Sequence, residues 1–137
     1  TQIDSILIKG QYALVHGKGF HDVLRRRTDG SWTIACDMSL TLPRAAVLQS
    51  RCGIPAPIAT HLAAEEPTNL LASQGQFNAA IAAEQKAFAS ASGAQRENDR
   101  ARLQQLRLLN QQMQLQQVTR EQAIQEWNRL QFSWALP

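Results

Sequence analysis

Five side chains near the front of this chain of 137 residues have chemistry beyond packing: Cys36, Cys52, His16, His21 and His61. Thiolates and imidazoles are the ligands of zinc, yet neither cysteine belongs to a Cys-x-x-Cys pair, and the five together follow no familiar ligand spacing. No metal is expected. Two cysteines are also too few for a disulfide framework, so free thiols in reducing surroundings are the expectation. The loop Gly17-Lys18-Gly19 lacks the longer glycine pattern and the following Ser or Thr of a phosphate-binding loop, and it is expected as a turn between strands. No nucleophile with a neighbouring base is evident, so neither catalysis nor a cofactor is expected.

The remaining chemistry is charge. Arg25, Arg26 and Arg27 form a short cationic run suited to phosphates or to an acidic partner surface. A strand alternates its faces, so Arg26 points away from the other two and toward Trp32, on which its guanidinium is expected to stack. Elsewhere the charge is even: residues 1–67 carry 7 bases against 6 acids and residues 68–137 carry 7 against 5, with no basic tail. Leu48, Cys52, Ile54, Ala59 and Leu62, with Gly53 among them, resemble the apolar spacing of a helix-turn-helix. Gln49 stands where a small residue is usual, and Pro55 and Pro57 interrupt the start of the second helix. The segment Ala-Pro-Ile-Ala-Thr-His-Leu offers no Arg, Lys, Asn or Gln for base edges. A DNA-associated accessory or regulatory protein with a degenerate helix-turn-helix is the alternative function these residues leave.

Periodicity supplies the elements that position these groups. Trp32 to Leu42 alternates without error, with Trp32, Ile34, Cys36, Met38, Leu40 and Leu42 on one face, which predicts a half-buried strand ending at Pro43. Phe20 to Arg27 meets it through Thr28-Asp29-Gly30. A three-residue loop with Gly30 left-handed sets Leu24 opposite Ile34 and Phe20 opposite Met38, and it places His21 across from Asp37 as a charge partner. Ile3–Lys9 and Tyr12–His16, joined near Gly10-Gln11, complete a four-stranded antiparallel meander. Residues 44–52 and 58–66 read as short helices divided by Gly53, the second ending before Pro67.

From Asn69 to Ser92 the chain is rich in alanine, with Leu70, Phe77, Ile81 and Phe88 on one stripe, Thr68 as N-cap and Gly93 as stop. A second long helix starts near Gln95. Capping boxes are predicted at Ser92 with Gln95 and at Thr119 with Gln122, the latter marking a point where this helix either continues or kinks. Its strict heptad seam holds Asn110, Gln117, Arg120 and Gln131, which argues against an autonomous coiled coil. Residues 95–131 contain 11 glutamines. Such uncharged amides suit packing against polar protein surfaces, because they hydrogen-bond without the desolvation cost of a charge. Unbroken helices of about 24 and 35 residues would measure about 36 and 52 Å, more than a four-stranded sheet covers, so part of the hairpin is expected to find its partner outside the chain.

The expected fold is α+β: a small antiparallel β-meander over residues 1–43, short helices and a proline-containing connection over 44–67, and a long α-helical hairpin for oligomerisation or docking over 68–137. The candidate protein interface is Leu103, Leu106, Met113, Ile124, Trp127 and Trp134. Compact sheet and Ala/Gln-rich helices together resemble small structural proteins of bacteriophage particles, a resemblance that implies a ring or connector subunit. The expected function is a non-enzymatic structural subunit, a homo-oligomer or one component of a larger assembly. No run is long enough to span a membrane and no signal peptide is evident, so the expected location is cytoplasmic or within an assembled particle.

Overall fold

The computed structural model describes residues 3–38 and 43–134, and the chain divides into two units, Thr1–Glu66 with Gln131–Pro137 and Pro67–Leu130. In the first unit, β1 (Ile3–Lys9), β2 (Tyr12–Gly17), β3 (Phe20–Arg26) and β4 (Trp32–Asp37) pair antiparallel in chain order, as the meander predicts. The first two hairpins close on Gly10-Gln11 and Lys18-Gly19, and Gly10 at φ 59° and Gly19 at φ 83° supply the positive φ that two-residue turns demand. The third follows the three-residue loop: Leu24 faces Ile34, Gly30 has φ 88°, and the Arg27 amide donates to the Ser31 carbonyl at 2.7 Å. Arg26 lies opposite Trp32 with its guanidinium carbon 4.8 Å from the ring centroid.

One extra residue in β4 overturns the expected facing. Val23 pairs with Cys36 while Leu24 pairs with Ile34, so Ala35 bulges out and the alternation inverts there. Leu7, Leu14, Val23 and Cys36 form one row across the inner face. Leu24 and Ile34 fall on the other face, and Ile34 is 65 % exposed rather than buried. The same step puts Asp22, not His21, opposite Asp37. His21 instead points inward, where its Nε2 lies 2.9 Å from Oε2 of Glu66, both side chains buried. Residues 39–42, the end of the expected strand with Leu40 and Leu42, lie outside the described residues.

The helices α1 (Ala45–Cys52) and α2 (Ala56–Ser73) supply the rest of the first core, where Leu48, Ile54, Ala59 and Leu62 pack with Leu7, Leu14, Val23 and Met38. Gly53, left-handed at φ 68°, stops α1 as its position predicts. Cys36 and Cys52 are joined in a disulfide, so they are not the free thiols expected from their number. Cys36 lies on the inner face, as the alternation predicts, and the end of α1 delivers Cys52 to it at a Cα–Cα distance of 5.5 Å.

Helix α2 does not end before Pro67. It runs through it, forgoing one backbone bond because proline has no amide hydrogen, and Thr68 is therefore a buried helical residue, not a cap. The helix stops at Gly75, whose φ of 79° and paired bonds from Gly75 and Gln76 amides to the Ala72 and Leu71 carbonyls make a left-handed terminus of the Schellman type. In the second unit α3 (Phe77–Ser90) and α4 (Gly93–Gln114) pack as a hairpin, followed by α5 (Arg120–Trp134), whose last residues belong to the first unit. The helices of this hairpin are 14 and 22 residues, not the two long rods expected, because Gly75 and the 115–119 connection break them. Among the described residues no helix is long and apolar enough to cross a membrane.

A polar chain threads the interior of the second unit. Trp127 is fully buried; its indole N–H donates to Asn69 Oδ1 at 2.9 Å and the Arg102 guanidinium lies 4.9 Å from its ring centroid. Asp99 accepts from the Gln95 amide at 2.7 Å, which takes Gln95 away from the capping box expected with Ser92. The positions Asp99, Arg102, Leu103, Leu106 and Leu109 share one helical stripe, so the charges are carried inward by the same spacing as the leucines.

Candidate docking site at the α4–α5 elbow

Helix α4 ends in a conformation that usually requires glycine. Gln116 has φ 59°, the Gln116 amide donates to the Met113 carbonyl and the Gln117 amide to that of Gln112, reproducing at a glutamine the Schellman geometry found at Gly75. A β-carbon in the left-handed region costs about 1–2 kcal/mol. Helix α5 then restarts on the predicted capping box, the Thr119 hydroxyl accepting from the Gln122 amide at 3.1 Å and the Gln122 side chain accepting from the Thr119 amide at 2.9 Å. Residues 115–119 thus form a defined elbow, and it exposes Leu115 to 59 %. Strain kept at a surface elbow points to a use for the glutamine side chain. Gln116→Gly is expected to raise stability by about 1 kcal/mol in urea unfolding, whereas a loss would mean that the side chain supports the fold.

Two clefts flank this elbow. The larger encloses about 860 Å³ between the start of α3, the end of α4 and the start of α5. Seven side-chain amides line it, Gln76, Asn78, Asn110, Gln114, Gln116, Gln117 and Gln122, with Phe77, Met113 and Val118 as apolar contacts. Asn110 donates to Asn78 at 3.0 Å across the α3–α4 wall. Its one charged lining residue is Arg120, whose stem lies over Gly75 so closely that a β-carbon there would meet Arg120 Cδ at 2.5 Å. The smaller cleft, about 420 Å³, includes Leu108, Leu109, Val118, Ala123 and Glu126. Leu108 is 46 % exposed. Arg129 neutralises Glu126, holding its carboxyl below the ordinary range through their side-chain hydrogen bonds.

The residues proposed from sequence are distributed unevenly. Leu103, Leu106 and Trp127 are buried in the chain's own core; Ile124 and Trp134 are half-buried, and Met113 lines the larger cleft. The periodicity that singled them out marks a core stripe as well as an interface. Arg25 and Arg27 are exposed, and Arg26 is engaged by Trp32. His16 and His21 pair across β2 and β3 with ring centroids 5.3 Å apart, next to Ser5 in the same row. Ser5 and His21 are 2 % and 1 % exposed, so this row of chemistry-bearing residues faces the core and not solvent. His61 is buried on α2. Buried Glu84 and Asp99 bring carboxylate oxygens within 4.8 Å of one another in the second unit.

No family model matches the chain, and neither curated proteins nor solved structures provide a match.

Proposed function

We propose that the chain is a non-enzymatic structural subunit that assembles through helix-mediated protein–protein contacts, with the α4–α5 elbow as the contact surface and a second copy of the chain as its partner. The observation that carries this reading is the exposure of Leu108 and Leu115, the first lining the smaller cleft with the uncharged amides of Gln105 and Gln112. Amides both donate and accept, so a glutamine-rich patch can face a copy of itself across a two-fold axis without like-charge repulsion. The two leucines supply the apolar area such a contact needs at its centre. Within that reading, an assembled particle outside the reducing cytosol suits the Cys36–Cys52 disulfide better than the cytoplasm does.

A photo-crosslinking amino acid at Leu115 tests the surface. Covalent dimers are expected from that position and not from Gln85, an exposed residue of α3. Dimers formed equally from both positions, or from neither, would refute the elbow as the contact.

A further inference from the structure

The larger cleft suits a ligand different from the second copy that Leu108 and Leu115 would hold. We propose that it binds an extended acidic polypeptide segment of a partner protein, a reading that rests on the chain being a protein-binding subunit and is read out separately from the leucine contact.

Its lining sets the ligand chemistry. An extended peptide leaves alternating N–H and C=O groups unpaired, and a carboxamide side chain can answer both from one planar group. The side chains of Gln114, Gln116 and Gln117 meet no hydrogen-bonding partner among the described residues, and all three are exposed. The volume of about 860 Å³ is within the range of clefts for small ligands, enough for a few residues of a chain and too small for a folded domain. Met113 and Val118, both half-buried, offer apolar contact to side chains of that segment. Charge decides the rest: the lining contains no carboxylate, and its single cation, Arg120, has no acidic partner among the described residues. An acidic side chain of the ligand would complete that guanidinium, whereas a basic segment would meet repulsion with nothing to offset it.

The test uses the full chain with its disulfide intact and an array of fluorescent peptides graded from acidic to basic, read by anisotropy. Acidic peptides are expected to bind, more weakly as salt rises. Arg120→Ala should reduce their affinity about tenfold or more, and Gln114→Leu with Gln117→Leu should reduce it without changing the dependence on salt. Leu108→Ser with Leu115→Ser should leave peptide binding intact while removing self-association, so the two surfaces fail or succeed independently. Binding that ignores peptide charge, that survives Arg120→Ala, or that is absent across the array would overturn the proposal.

Discussion

Trp127→Ala is expected to cost about 3–5 kcal/mol of stability, the range for truncating a large buried aromatic. The indole is fully buried, and its loss also removes the donor to Asn69 Oδ1 and the ring under the Arg102 guanidinium. Burying a cation is tolerable only where its surroundings compensate it, so a cavity beside Arg102 costs more than one lined by leucines. Trp127→Phe should fall between, keeping an aromatic face for Arg102 while losing the N–H. Urea unfolding measures both. A loss below about 1 kcal/mol for the alanine variant would place the residue outside the core, the tryptophan's behaviour if it were a surface anchor.

Reducing the Cys36–Cys52 bond is expected to cost about 3 kcal/mol, the loop-closure value for a link of this sequence separation, 16 residues. Helix α1 depends on that link. It has eight residues, no side-chain N-cap and a single buried residue, Leu48, which is too little for a helix of two turns to stand alone. Thermal unfolding with and without a dithiol reductant, together with Cys36→Ser/Cys52→Ser, checks this. The reduced protein and the double variant should unfold alike, at lower temperature than the oxidised chain. An oxidised chain no more stable than either would show that packing of Leu48 and Ile54 holds α1 unaided.

Turn chemistry was the most legible part of the fold. Gly10, Gly19 and Gly30 each sit where a hairpin needs positive φ, and the three-residue choice at Gly30 followed from matching Leu24 with Ile34. The bulge at Ala35 left no such mark, because Trp32 to Leu42 alternates perfectly and a bulge changes facing without changing composition. That one residue hid the inward turn of His21 to Glu66. Gly75 was readable as a helix stop, but Leu70 and Phe77 stand seven apart across it and imitate one continuous stripe. At the elbow the Thr119–Gln122 box was legible and its partner was not. A glutamine in the left-handed region carries no sequence signature.

The same breaks shorten the helices that would have needed a partner. Two uninterrupted rods would have exceeded what the chain could cover; instead Leu103, Leu106 and Trp127 are satisfied within the second unit. The need for a partner therefore rests on the elbow and no longer on helix length.

Light scattering on the oxidised chain across a concentration series tests that claim most directly. The mass should rise from one chain toward two with concentration, and a Leu108→Ser/Leu115→Ser variant should stay at one. A wild-type mass of a single chain at every concentration, or a variant that dimerises as the wild type does, would contradict it.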